Sequence, residues 1–105
     1  MKLLRIVRME FTPEDALDFD AYFATVRPAI LQMEGCHQVI SLAGIDKPGL
    51  RTTLSMWESP DALERYRKSE LFAQVWPKTK EKFVASPVAW SLDCPNEALI
   101  ESFAL

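Results

Sequence analysis

Alternating apolar and polar residues at the start of the chain predict a β-strand that is apolar on both faces. Over residues 3–11, Val7 and Met9 fall on one face, and Leu4 and Ile6 fall on the other. Strands of this kind are normally covered on both sides. We therefore expect helices of this chain on one side and a second molecule on the other.

Apolar residues at spacings of three and four predict a long amphipathic helix after the first strand. Thr12 can cap its N-terminus, and Pro13 suits the first helical position. The apolar stripe runs to Met33, and Gly35 is the expected C-terminal cap.

The rest of the chain predicts three more strands and a second helical region. Strands are expected over residues 36–43 and 51–58, joined by the turn sequence GIDKPG. Ser59 and Ser69 then open a short helix and a longer one, whose apolar stripe extends to Phe83. A fourth strand over residues 87–93 completes the order β-α-β-β-α-β. This order is the ferredoxin-like arrangement, an α+β fold in which a four-stranded antiparallel sheet carries its helices on one face.

The second face of this sheet has no helix of this chain to cover it, so we expect a homodimer formed through the open sheet face. The predicted domain spans residues 1–93. Residues 94–105 form a C-terminal tail in which Leu99, Ile100 and Phe103 favour packing on the partner subunit; a frayed terminus is the alternative.

Composition narrows the class of protein. With a net charge of −3 the chain shows no basic footprint, so nucleic-acid binding loses its main electrostatic driver. No apolar run approaches the roughly 20 residues of a membrane span, and Arg5 and Arg8 interrupt the core that a signal peptide would need. Cys36 and Cys94 lie far apart without a CxxC motif, so they imply neither a zinc site nor a disulfide framework. We therefore expect a cytoplasmic protein.

Five segments of the chain resemble the antibiotic biosynthesis monooxygenase (ABM) family of dimeric α+β barrels. They are RIVRMEF at 5–11, MEGC at 33–36, WESPDAL at 57–63, YRKSELF at 66–72 and AWS at 89–91. The resemblance implies a homodimer whose two sheets face one another, with a pocket in each subunit between the helices and the sheet. It also implies oxygenation of aromatic polyketides or quinols without a metal or flavin, so no cofactor is expected.

One branch of the family degrades haem, and this chain departs from its pattern. That branch has an Asn on the first strand, a Trp on the short helix and a His on the long helix, at positions that correspond to Val7, Tyr66 and Trp76. All three residues differ, and the missing His would be the axial ligand of the iron. Haem degradation is therefore disfavoured.

Tyr66 and Trp76 are the candidate substrate-binding residues, and Tyr66 is also a candidate for catalysis. Their rings could hold a flat aromatic molecule while the phenol hydroxyl or the indole N–H orients one of its oxygens. Plain core packing is the alternative for both, and core or interface positions are expected for Trp57 and Trp90.

His37 and Arg5 are further candidates. His37 is the single histidine, so no site with several histidines can hold a metal; as a neutral imidazole it could accept a phenolic proton. Arg5 or Arg8, which alternate sides of the first strand, could neutralise an enolate or phenolate formed during oxygenation. The alternatives are a surface or interface position for His37 and a salt bridge to Glu10 or Glu58 for the arginines. The segment Arg65-Tyr-Arg-Lys is interpreted as a solvated helix face.

The sequence thus favours a cofactor-independent monooxygenase that acts on a small aromatic, phenolic or quinol-like substrate. A dimeric binding or sensing module that has kept the fold without the chemistry is the alternative. A purely structural subunit is a third possibility, and a completely filled space under the helices would support it.

Overall fold

The computed structural model describes residues 2–94. Four strands form one antiparallel sheet in the order β2-β3-β1-β4. This order, with the helices between the strands, confirms the ferredoxin-like α+β fold. The expected tail over residues 94–105 lies outside the described residues except for its first residue. The elements are β1 (Lys2–Glu10), α1 (Pro13–Leu31), β2 (Cys36–Ala43), β3 (Leu50–Trp57), α2 (Pro60–Arg67), α3 (Glu70–Lys80) and β4 (Val88–Cys94).

All three helices within residues 2–94 begin at the capping residues that the sequence indicates. The hydroxyl of Thr12 accepts a hydrogen bond from the amide of Asp15 at 3.1 Å. Ser59 caps α2 and Ser69 caps α3 in the same way, at 3.2 and 3.1 Å. Each hydroxyl satisfies one of the amides that have no carbonyl partner in the first helical turn, so these starts are determined locally.

The first helix ends earlier than its apolar stripe indicates, and the prediction that Gly35 caps it is wrong. The helix ends at Leu31, with Gln32 as the C-cap residue, and Met33 lies outside it. Gly35 is instead part of the turn before β2, where it adopts φ +82°. A Cβ at this position would lie 2.5 Å from the Cβ of Ala62, so the glycine also lets α2 approach the turn closely.

The second long helix is also shorter than predicted, because it ends at Lys80 and leaves Phe83 in the following turn. Phe83 still belongs to the aromatic core. Its ring lies 5.3 Å from that of Phe11 and 5.7 Å from that of Trp76. The apolar spacing therefore identified the buried residues correctly, but the last of them packs on the core from outside the helix.

The two faces of the sheet differ in what covers them. The helices cover one face, where Trp57 is completely buried in the core. On the other face, the strand register aligns Ile40, Leu54, Ile6 and Trp90 in one row across all four strands. Trp90 keeps 44% of its surface exposed at the edge strand. The apolar second face that the sequence predicts for β1 thus continues across the whole sheet.

Within residues 2–94, no helix is both long enough and apolar enough to cross a membrane.

Candidate active site

A cavity of about 240 Å³ lies between the helices and the sheet. Its existence argues against the purely structural subunit, for which a filled interior is expected. Strand residues that point toward the helices form its floor: Arg5, Val7, Met9, Val39, Thr53, Ser55, Trp57 and Ala89, with Pro87 just before β4. Helix residues form its walls: Phe19, Phe23 and Ile30 from α1, Leu63, Tyr66 and Arg67 from α2, and Phe72, Val75, Trp76 and Thr79 from α3.

The structure brings Tyr66 and Trp76 to this one cavity, from α2 and α3 respectively. The Tyr66 ring stacks on Trp57 with 5.0 Å between ring centroids, and its other neighbour is the edge of Phe72 at 5.2 Å. Phe72 stacks in turn on Trp76 at 5.8 Å. The two candidate residues therefore belong to one continuous aromatic wall, which fixes the orientation of both rings.

The polar atoms of these two rings have no hydrogen-bond partner within the part of the chain that the structure describes. This holds for the Tyr66 hydroxyl and for the Trp76 indole N–H. Burial raises the pKa of Tyr66 to about 12, with smaller contributions from Cys36 and Tyr22. The phenol therefore stays protonated near neutral pH, so Tyr66 can donate a hydrogen bond to a ligand but does not act as a base.

Arg5 lies on the floor of the cavity in a row of polar residues. In the strand register it is flanked by Ser55 on β3 and Ser91 on β4, and its Nη1 donates to the Ser91 hydroxyl at 2.9 Å. The salt bridge that the sequence offers as the alternative forms at Arg8, which pairs with Glu10 at 2.7 Å. Arg5 bonds Ser91 instead. Burial lowers the pKa of Arg5, and the nearby charge of Arg67 lowers it further.

Arg67 is a cavity residue that the sequence interpretation missed. The sequence predicts a solvated helix face for the segment around it, and the Arg67 side chain is indeed 47% exposed. It nevertheless lines the cavity. The signal was present, because Arg67 follows Leu63 by four residues and therefore shares the buried face of α2.

His37 lies elsewhere. It is exposed, it is not among the residues that line the cavity, and its Nε2 contacts Glu58 Oε2 at 2.5 Å. This hydrogen bond lowers the pKa of the Glu58 carboxyl. The structure therefore unites Tyr66, Trp76 and Arg5 but separates His37 from them.

Two observations bear on a metal or haem site. Within residues 2–94 no group of three or more His, Cys, Asp or Glu side chains is placed to hold a metal ion. The three positions that correspond to the haem-degrading branch, Val7, Tyr66 and Trp76, all line the cavity. None of these three side chains is a histidine, so the axial ligand of that branch has no counterpart at these positions.

Comparisons with known proteins agree with this architecture. The sequence profile of the antibiotic biosynthesis monooxygenase family matches residues 3–77, more than half of the chain. A search of curated protein sequences found no significant match. Among solved structures, Rv0793 from Mycobacterium tuberculosis superposes with a TM-score of 0.83 at 17% identity, over 93% of this chain and 99% of that chain.

Two further structures carry names that refer to oxygenation. A Bordetella bronchiseptica protein, named as a candidate antibiotic biosynthesis monooxygenase, superposes with a TM-score of 0.79 at 25% identity, over 90% of this chain and 98% of that chain. A point mutant of SnoaB from Streptomyces nogalater, named as a cofactor-independent oxygenase, superposes with a TM-score of 0.78 at 14% identity, over 90% and 94% of the two chains. At identities this low, the superpositions with SnoaB and Rv0793 show a shared fold and nothing further.

Proposed function

Because the chain belongs to the antibiotic biosynthesis monooxygenase family, we propose that it oxygenates a small phenolic or quinol-like aromatic substrate without a cofactor. The observation that carries the proposal is one cavity that is lined both by the aromatic wall of Tyr66 and Trp76, whose hydroxyl and indole N–H can donate hydrogen bonds, and by Arg5. A mostly apolar pocket with a few convergent polar groups is the typical form of a small-molecule site.

The size of the cavity limits the substrate. A protein cavity of about 150 Å³ is large enough to hold benzene, whereas this one measures about 240 Å³. The cavity therefore has room for one ring or two fused rings of the proposed substrate.

The proposed reaction needs little from the protein beyond binding and electrostatics. The substrate loses its phenolic proton to solvent, and the resulting anion transfers one electron to O₂. The two radicals then combine into a peroxide on a ring CH carbon; the peroxide takes up a proton from solvent, and the loss of water from the hydroperoxide leaves a carbonyl there. One oxygen atom enters the product, and the other leaves as water with that proton and the hydrogen of the ring carbon.

Each proposed site residue has a distinct role in this scheme. Tyr66 and Trp76 donate hydrogen bonds to substrate oxygens, and Arg5 stabilises the phenolate with its positive charge. We assign no part in the reaction to His37, since it pairs with Glu58 at the surface.

Oxygen uptake by the purified protein tests the proposal. A panel of one-ring and two-ring hydroquinones is compared with three-ring analogues, before and after dialysis against a chelator. We expect turnover of the smaller compounds that survives the dialysis. Fluorescence quenching without oxygen uptake would instead support the binding or sensing module, and the absence of both would refute an aromatic ligand.

We also propose that two chains associate through the open sheet face, which would place a second sheet over the apolar row Ile6, Ile40, Leu54 and Trp90. Trp90→Glu places a charge in this row and is expected to raise the dissociation constant about 30-fold or more. Leu17→Glu is the matched control, because Leu17 is 66% exposed on α1. Equal dimerisation of both variants in sedimentation experiments would refute this interface.

We place the protein in the cytoplasm as part of the same proposal. Cys36 and Cys94 are free thiols, the form that cysteines keep in a reducing compartment.

A further inference from the structure

The charged residues that line the cavity are positive, whereas the protein as a whole carries a net negative charge. The chain carries a net charge of −3. The described residues that line the cavity nevertheless include two arginines, Arg5 and Arg67, and no aspartate or glutamate. A cluster of positive charge in a mostly apolar cavity attracts anions more strongly than the same charges do in water.

Arg5 is poorly compensated in its surroundings. Its guanidinium offers five N–H donors, and the side-chain hydrogen bond that the structure gives it, within residues 2–94, is to the neutral hydroxyl of Ser91. Burial and the charge of Arg67 lower the pKa of Arg5, and the charge of Glu64 offsets them only in part. An anion bound between the two guanidiniums would remove this unfavourable interaction.

Arg67 is available to such an anion. Its acidic neighbour is Glu64 on the same helix, at 3.8 Å, with both side chains about half exposed. Exposed pairs at this distance contribute little and rearrange easily. The guanidinium of Arg67 can therefore leave Glu64 and contact a ligand, because the ion pair that it gives up contributes little free energy.

From this geometry we infer that the cavity selects planar aromatic molecules that carry an anionic oxygen, and that Arg5 and Arg67 are the selecting groups. The ring lies against the aromatic wall of Tyr66 and Trp76, and the anionic oxygen lies between the guanidiniums. This inference rests on the proposed aromatic ligand and specifies its charge. A phenolate and a carboxylate share this chemistry, so the experiment has one arm for each.

The phenolate arm uses 4-nitrophenol, whose neutral and anionic forms share one ring and differ in absorbance. The cavity-lining residues that can titrate are Arg5 on β1 and Tyr66 and Arg67 on α2, with Glu64 beside Arg67. No titratable residue of α1, α3 or the other strands is among the described lining residues. We expect the phenolate to bind at least about tenfold more tightly than the phenol, so that binding lowers the pKa of 4-nitrophenol by about one unit.

The carboxylate arm is measured at a single pH and so avoids titration of the protein. It compares 2-naphthoate with 2-naphthamide, which has nearly the same shape without the charge. We expect 2-naphthoate to bind about tenfold more tightly by tryptophan fluorescence.

Variants identify the selecting groups. Arg67→Gln is expected to weaken anion binding about tenfold while leaving binding of 2-naphthamide unchanged. Arg5→Gln is expected to do the same, and Arg5→Lys should retain part of the preference, which separates lost charge from lost folding. Arg65→Gln is the matched control on the same helix, because Arg65 pairs with Glu34 at 3.7 Å and does not line the cavity.

The outcomes separate this inference from the proposed function. Equal binding of charged and neutral forms would overturn the anion preference and leave the aromatic site intact. An Arg65→Gln effect as large as that of Arg67→Gln would show a general charge effect and overturn the assignment to the cavity. The failure of every probe to bind would overturn the aromatic site itself. A preference for only one of the two anions would support the inference and identify the source of the anionic oxygen.

Discussion

Replacement of Tyr66 by phenylalanine separates a substrate contact from plain core packing. The variant keeps the ring that stacks on Trp57 at 5.0 Å and meets the edge of Phe72 at 5.2 Å. It removes only a hydroxyl that has no hydrogen-bond partner within residues 2–94. The free energy of unfolding is therefore expected to change by no more than about 0.5 kcal/mol at neutral pH.

The expected effect on the reaction is much larger. A hydrogen bond from Tyr66 to a developing phenolate has a charged acceptor, and such bonds contribute about 1.5–3 kcal/mol. Tyr66→Phe should therefore lower kcat/KM about 10- to 100-fold. Because burial raises the pKa of Tyr66 to about 12, the phenol stays protonated at neutral pH. The loss should be the same from about pH 6 to about pH 9.

The raised pKa of Tyr66 also gives a readout that needs no substrate. In the unfolded chain the phenol has its ordinary pKa of 10.0, whereas burial in the folded protein raises this pKa to about 12. The folded state therefore holds this proton more tightly, and stability falls as the pH rises from about 10 to about 12. We expect a loss of about 2–3 kcal/mol over this range in the wild type. The Tyr66→Phe variant should lack this loss.

The assays are oxygen uptake for kcat/KM and urea denaturation for stability. Tyr22→Phe is the matched control, because the Tyr22 ring lies under the ammonium of Lys78 and is not among the cavity residues. It should leave kcat/KM unchanged. The reasoning is refuted if Tyr66→Phe keeps full kcat/KM and full affinity for the substrate. A loss of stability above about 2 kcal/mol at neutral pH would show that the hydroxyl has a structural role instead.

Three further predictions concern stability and reactivity. Gly35→Ala should cost about 2–4 kcal/mol in urea denaturation, since the residue has φ +82° and its Cβ would lie 2.5 Å from an α2 side chain; a change below about 0.5 kcal/mol would contradict this close approach. Asp20→Asn should lower the free energy of unfolding by about 1–3 kcal/mol, because it leaves the buried Arg51 without the carboxylate that it binds at 2.7 and 2.9 Å. The control Glu34→Gln, which removes an exposed ion pair, should have little effect. Burial raises the pKa of Cys36 to about 11, so this thiol should resist alkylation at pH 8 in the folded protein and react readily in urea, as mass spectrometry would show; rapid labelling of the folded protein would contradict this.

The local sequence was sufficient to predict those structural features that neighbouring residues determine. Thr12, Ser59 and Ser69 start their helices through hydrogen bonds to amides three residues away. Helix ends were less predictable, because an apolar stripe marks the residues that face the core and does not show where the helical backbone stops. Met33 and Phe83 both continue such stripes outside the helices.

The composition of the candidate site depended on contacts between distant segments. The bond from Arg5 to Ser91 joins residues 86 positions apart, and no local pattern specifies such a partner. Arg67 was missed because charge suggested solvent exposure, although its spacing from Leu63 placed it on the buried face. His37 was considered because imidazole suits acid–base chemistry, and its surface pairing with Glu58 emerges only when β2 and β3 are side by side.

The sequence by itself determined the order of the elements and the two apolar faces of β1, because periodicity and capping act over a few residues. The family followed from the resemblance of five segments. The tertiary structure decided which side chains share one cavity and which charges it holds. Periodicity shows toward which layer a side chain points, but not whether another layer fills the space in front of it. The space before Tyr66, Trp76, Arg5 and Arg67 stays open because of how the helices pack on the sheet, and the proposed chemistry depends on that packing.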